Sequence, residues 1–359
     1  MTMTGKTHSA TAAAAAAAAL MVSLMVSATA SSPPMGLSGC VTRCGDMEVP
    51  YPFGIGPAAN CSLPGFSLTC DDDGDGTRAL RLGTLQVMGI DLYNATMTVV
   101  HSGDINISAA GSDASGGYGA LFDSGGLGDD DGPYRLGREN ELTVLSCNTA
   151  ATLTNGNATM SGCFTLCDAR YGSAGYPLSS GCNGVGCCRA PIVTDLEVAE
   201  GKKQPAVYGV QMRWFGVNRS ADLQRGPVHV LVAKQGWFDG QFGSDVLFSH
   251  PPKLARMAVP VWLEWEVAAA APGSDDTRDC GAGARGGYTC SCSVGYQGNP
   301  YLPDGCKDID ECEHKEEHGC FGQCNNTQGW FQCSCPPGTQ GNHEMPGGCV
   351  NSSALKSVV

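Results

Sequence analysis

The chain has 359 residues, 20 cysteines, 50 glycines and a formal net charge of −14. That charge excludes a general nucleic-acid binder, because most of the surface would repel a polyanion, and the length allows two or three domains. Cysteine at about one residue in eighteen points to loop-rich modules held by disulfides in an oxidising compartment.

At the N-terminus, Lys6 and His8 precede an apolar run from Ala10 to Val26, and Ala28-Thr29-Ala30 follows. Basic start, short apolar core and small residues at the cut predict a signal peptide over residues 1–30. The alternative, a transmembrane anchor, needs more than this alanine-rich run of about 17 residues to span roughly 30 Å of hydrocarbon comfortably. No second such stretch follows, so the mature chain is expected to be soluble. Seven Asn-x-Ser/Thr sequons, at Asn60, Asn94, Asn106, Asn157, Asn218, Asn325 and Asn351, suit a secreted glycoprotein.

From Cys40 to Cys188 the cysteines come in separated clusters, and alternation over 80–82, 84–90 and 96–100 predicts strands. The Gly/Asp-rich stretches 71–76 and 111–132 read as loops. A cysteine-free span follows, with strands predicted at 228–232 and 259–267. In the second, Val261, Leu263, Trp265 and Val267 share one face, so Glu264 and Glu266 are expected to face solvent. Residues 268–279 read as a linker.

Three tempting motifs carry no chemistry. Asp71-x-Asp73-x-Asp75-Gly76 lacks the glutamate that closes an EF-hand loop. Gly281-x-Gly283-x-x-Gly286 has no strand and helix around it to present phosphate-binding amides. Cys182, Cys187 and Cys188 favour disulfides over zinc in a secreted context. No hydrolase, metalloprotease, kinase or P-loop signature occurs, so no enzymatic activity is expected.

The strongest pattern lies at the end. Cys312, Cys320, Cys324, Cys333, Cys335 and Cys349 have EGF spacing; six cysteines allow 15 pairings. Asp308-Ile309-Asp310-Glu311 stands before the first, and Asn326-Thr327-x-Gly329-Trp330-Phe331 follows the third. This resembles the calcium-binding EGF signature. The resemblance implies bridges Cys312–Cys324, Cys320–Cys333 and Cys335–Cys349. It also implies a Ca2+ site with side-chain oxygens from Asp308, Glu311 and Asn326 and carbonyls from Ile309, Thr327 and Trp330, a donor set suited to a hard cation. Cys280, Cys290, Cys292 and Cys306 resemble the back half of a second EGF unit that has lost one bridge, leaving Cys280–Cys290 and Cys292–Cys306. Calcium next to Cys306 would stiffen the joint between the two modules.

Over the whole chain, Cys40-x3-Cys44-Gly45, Val49-Pro50-Tyr51-Pro52-Phe53-Gly54-Ile55-Gly56, Phe66-x-Leu68-x-Cys70, Cys182-Asn183-Gly184-Val185-Gly186-Cys187-Cys188, Gly236-Trp237-Phe238 and Gly298-Asn299-Pro300-Tyr301 resemble the ectodomain of the plant wall-associated kinases. The family departs from this chain in having cysteines between Cys70 and Cys147 and near Val228. The resemblance implies a mainly β, disulfide-rich galacturonan-binding domain over 31–267, a degenerate EGF-like module over 280–306, a calcium-binding EGF-like module over 308–349 and a tail over 350–359. Transmembrane and kinase parts of the family do not follow here. The implied partner is cell-wall pectin or oligogalacturonide, at the cell wall, or at the plasma membrane for a receptor fragment. The alternative is an EGF interaction module or co-receptor that meets extracellular proteins or receptor kinases without binding polysaccharide. Binding a polyuronate needs cations, and planar guanidinium clamps carboxylates well. The candidates are Arg43, Arg78, Arg81, Arg135 and Arg138, with Arg170 and Arg189, and Tyr51, Phe53 or Tyr134 for stacking.

Overall fold

A computed structural model describes residues 33–56, 60–72, 74, 76–102, 113–117, 132–167, 182–194, 208–216, 218, 228–241, 258–283 and 286–351. The signal-peptide reading, Asn106, Arg170 and most of the tail lie outside them.

The chain is mainly β. Its principal sheet has seven strands, in spatial order Gly54–Ile55, Ser67–Asp72, Arg78–Leu82, Leu85–Asp91, Thr96–Ser102, Ala258–Trp265 and Tyr134–Leu136. Two smaller sheets complete the N-terminal region. One has three strands, Cys187–Pro191, Asn140–Leu145 and His229–Lys234; the other has four, Ala158–Thr165, Thr149–Asn155, Tyr208–Trp214 and Asp113–Gly117. The last of these falls in the stretch 111–132 that reads as loop. An edge strand needs only backbone pairing, which Gly209 to Arg213 supply in register, so glycine-rich composition does not prevent it.

The central strand Ala258–Trp265 shows how the core forms. Val259, Val261, Leu263 and Trp265 are all buried on one face, as alternation requires. Strand Thr96–Ser102 pairs on one side and Tyr134–Leu136 on the other. On the opposite face, Glu264 is half-buried against Arg135, its cross-strand partner, and Glu266, just past the strand, is only 8% exposed. The expectation that both glutamates face solvent is overturned, because Arg135 covers the first and Gly283 and Gly287 close over the second.

All 20 cysteines are bridged. Cys40–Cys61 and Cys44–Cys70 staple the first strands, while Cys147–Cys167, Cys163–Cys188 and Cys182–Cys187 staple the smaller sheets. Downstream the pairs are Cys280–Cys290 and Cys292–Cys306, then Cys312–Cys324, Cys320–Cys333 and Cys335–Cys349.

The segment 268–279 is short of a free linker, since strand Arg278–Ala282 starts inside it and pairs with Tyr288–Cys292. That hairpin is seated on the N-terminal core. Val267 and Tyr288 exchange backbone hydrogen bonds of 2.9 Å each. Asn299, fully buried, donates to the carbonyls of Met35 at 2.8 Å and Tyr51 at 2.6 Å. Its own Oδ1 accepts the Tyr301 N–H. The Tyr301 ring then meets Trp265 at 5.4 Å, continuing a run of rings through Phe53 and Phe66. Glycine makes the approach possible: a Cβ on Gly283 would fall 1.8 Å from a Glu266 carboxylate oxygen, and one on Gly287 would fall 2.4 Å from the Val267 carbonyl.

Candidate functional site

The calcium-type residues gather where the two C-terminal modules meet. Asp308 closes the strand Cys306–Asp308, which pairs with Tyr296–Gly298 of the preceding module. Its carboxylate also receives the Asn326 amide at 2.8 Å and the Gly329 N–H. Asn326 and Thr327 lie on strand Gln323–Thr327, opposite Phe331 and Trp330 of strand Trp330–Ser334. The Thr327 hydroxyl donates to the Trp330 carbonyl at 2.7 Å, and the Ile309 N–H donates to Gly295 O at 2.9 Å.

Two oxygens there lack a hydrogen-bond partner while buried: Glu311 Oε2, on a residue 4% exposed, and Asn326 Oδ1. A buried carboxylate oxygen without a donor is costly. Both atoms belong to the set that the calcium-binding EGF signature assigns, so the donors present fit a hard cation.

The arginines separate into paired and unpaired groups. Arg135 gives Nε and Nη2 to one Glu264 oxygen at 2.9 and 2.8 Å. Arg189 bridges Asp239 at 2.7 Å and Glu141 at 3.5 Å, and Arg81 reaches Asp71 at 3.4 Å. Arg43, Arg78 and Arg138 are exposed and make no ion pair among the described residues. Arg43 and Arg78 sit on adjoining segments, for Cys44–Cys70 ties the first to the strand that pairs with the second. Of the candidate stacking residues, Phe53 and Tyr134 are 1% and 0% exposed and so serve the core. Burial pushes the Tyr134 phenol far above its ordinary range. Tyr51 is half-buried, and its carbonyl is taken by Asn299. The described sequons, Asn60, Asn94, Asn157, Asn218, Asn325 and Asn351, are all exposed.

Sequence reasoning missed Asn299. The Gly298-Asn299-Pro300-Tyr301 run was visible, but nothing local told that its amide spans to residues some 250 positions earlier.

Comparison with known proteins gives two family matches: "Wall-associated receptor kinase galacturonan-binding" over residues 40–101 and "Calcium-binding EGF domain" over residues 308–349. The chain is an extracellular, wall-associated-kinase-like ectodomain. Among curated proteins it is 30% identical to Wall-associated receptor kinase 2 and 33% identical to Wall-associated receptor kinase 3, both of Arabidopsis thaliana. Each alignment covers 81% of this chain but only 37% and 38% of the relatives, so the chain spans well under half their length. No solved structure matches. The matched region of this wall-associated-kinase-like ectodomain is not a kinase fold. No helix of the described residues is long and apolar enough to cross a membrane. Arg43, Arg78 and Arg81 fall inside the galacturonan-binding match, whereas Arg135, Arg138 and Arg189 fall beyond it.

Proposed function

We propose that this ectodomain binds de-esterified galacturonan through its N-terminal module, with Arg43 and Arg78 making the leading contacts to uronate carboxylates. One observation carries the choice: both guanidiniums lie within the matched residues 40–101, exposed and without a carboxylate partner among the described residues. A ligand carboxylate need not displace an existing pair there, as it would at Arg81, Arg135 or Arg189. Glu48 and Asp72 stand opposite Arg43 and Arg78 in register, so recognition rests on placed contacts more than on a broad positive field.

The working division is 31–267 for the binding module, 280–306 for the degenerate EGF and 308–349 for the calcium EGF. In the last, Asp308, Glu311 and Asn326 with the carbonyls of Ile309, Thr327 and Trp330 would hold one Ca2+. Calcium supplies charge neutralisation and a cross-link between oxygens of the joint, so its role is spacing.

The test is retention on immobilised polygalacturonate, with and without chelator. Arg43→Gln and Arg78→Gln should each weaken retention roughly two- to five-fold, the range of exposed ion pairs, and both losses should shrink at high salt. Unchanged retention in the double variant would remove these contacts; no retention of the unmodified protein would remove the reading. A second reading, protein docking, has one observation in its favour: Trp330 is 58% exposed and stacks on Phe331 at 5.4 Å, a rigid aromatic pair of the kind that anchors interfaces. Absence of polymer binding together with a Trp330-dependent extracellular protein contact would favour it.

A further inference from the structure

A cleft of about 450 Å³ runs between the N-terminal core and the hairpin of the degenerate EGF. Arg135, Arg138, Trp262 and Trp265 form one wall, and Ala282 and Thr289 the other. Asn94, Ala95 and Thr96 at its rim fall in the residues matched as galacturonan-binding, whereas Arg138 and both walls lie beyond them. Its size is at the lower end of the roughly 300–1,000 Å³ typical of small-molecule sites, and junctions between modules are a favoured place for them.

We propose that this cleft is a separate subsite for a uronate mono- or disaccharide unit, with Arg138 as its carboxylate clamp. This rests on the reading that the ectodomain meets acidic polysaccharide, but uses different residues.

Three features of the wall support it. First, Arg138 is exposed and its guanidinium has no partner among the described residues. Its backbone is nonetheless fixed: the N–H donates to Glu264 Oε1 at 3.4 Å, and the carbonyl accepts from Gln235 Nε2 at 3.0 Å. The neighbouring Arg135 is already neutralised by Glu264, so that pair supplies a shaped polar wall while Arg138 keeps its charge for an incoming anion. Glu139 and Glu266 also line the cleft, so Arg138 holds one carboxylate and the second uronate of a disaccharide would have to direct its carboxylate out of the cleft. Second, Trp262 presents an aromatic surface whose position is locked. Its backbone N–H and carbonyl are both held by the buried Asn140 side chain, at 2.8 and 2.7 Å, and Lys234 Nζ stands 4.3 Å from its ring centroid. Gly137 clears the space, since a Cβ there would lie 2.7 Å from Trp262 Cδ1. Third, Trp265, only 2% exposed, carries an indole N–H with no acceptor among the described residues. A donor left over in the lining of a polar cleft suits the hydroxyl-rich face of a sugar.

Because the second wall belongs to the EGF hairpin, a bound unit would touch both modules and clamp them.

The test titrates digalacturonate into the intact ectodomain, read by tryptophan fluorescence, beside polygalacturonate retention. Arg138→Gln should weaken digalacturonate binding about ten-fold, as loss of a charge-assisted contact does. Ala282→Trp fills the cleft from the EGF wall without altering the cations and should weaken it as much. Arg213→Gln, an exposed cation on strand Tyr208–Trp214 outside both sites, should leave it unchanged. Polymer retention with no saturable digalacturonate response, or a response that neither variant moves, overturns the subsite and leaves the proposed function standing. Saturable, Arg138-dependent binding in a protein that ignores polymer keeps the subsite and removes that function.

Discussion

The two small modules at the end of the chain meet the same shortage of core in different ways. The degenerate EGF, with two bridges, is seated on its neighbour: Asn299 is fully buried between Met35 and Tyr51, and Tyr301 joins the Trp265 aromatic run. The calcium EGF has three bridges and buries little of its own. Beyond Cys306, Cys320 is the only buried apolar residue among those described. A module of about 40 residues cannot bury enough surface to fold unaided. The comparison therefore teaches that docking into the N-terminal core can replace a disulfide, whereas the calcium EGF, joined to its neighbour only near Asp308 and Ile309, keeps all three of its bridges.

The largest effect should come from breaking the docked side. Trp265→Ala removes the ring shared by Phe53, Phe66 and Tyr301 and should cost about 3–5 kcal/mol. A urea titration followed by circular dichroism should show the N-terminal region and degenerate EGF losing stability together. Hydrogen exchange in residues 308–349 should not change. A shift of the calcium EGF with them would contradict the division.

The opposite cut is Cys312→Ser with Cys324→Ser, which opens one bridge of the calcium EGF. Loss of such a bridge costs roughly 2–5 kcal/mol in a small secreted module. Limited proteolysis should then release fragments from 308–349 while the N-terminal transition midpoint stays fixed.

How much of this was legible beforehand follows from where the information sits. Local patterns were readable: alternation gave the buried face of Val259 to Trp265, and cysteine spacing located both EGF-like modules. Side chains whose partners come from distant strands were not. Glu264 looked solvent-facing until Arg135, 129 positions earlier, closed on it. Gly283 sat in a glycine motif to which no chemistry could be given, and its reason is the close approach of Glu266. The calcium-binding EGF signature was legible because its residues sit at fixed offsets from cysteines. The cleft was not, because its two walls come from separate modules.

Alkaline pH should separate the modules more gently. Burial raises the Tyr301 phenol to about 12, partly offset by its hydrogen bond from the Cys290 N–H, with Tyr288 adding a small further rise. The unfolded chain ionises near 10. The fold holds the protonated form, so this contribution is complete below about pH 10 and is lost as pH rises towards 12. Two pH units correspond to about 2–3 kcal/mol. Tyr134, pushed still higher by burial, acts in the same direction. Denaturant midpoints of the docked unit should fall between pH 10 and 12, and less steeply in Tyr301→Phe.

The smallest effect belongs to the cation. A site of the roughly 10⁻⁴–10⁻³ M extracellular class adds only about 0.4–1.4 kcal/mol at 1 mM free calcium by mass action. That small sum is placed where the calcium EGF has least of its own, at buried Glu311 Oε2 and Asn326 Oδ1. Chelation should therefore lower the melting temperature and protease resistance of residues 308–349 alone, and Glu311→Gln should make the module insensitive to calcium. The variant has a second consequence. Neutralising a buried carboxylate without a donor removes a cost that calcium otherwise offsets, so in chelator Glu311→Gln should be at least as stable as the unmodified protein. A variant less stable than the parent in chelator would mean that Glu311 is held by the fold itself, and the contrast between a docked module and a cation-dependent one would fail at that residue.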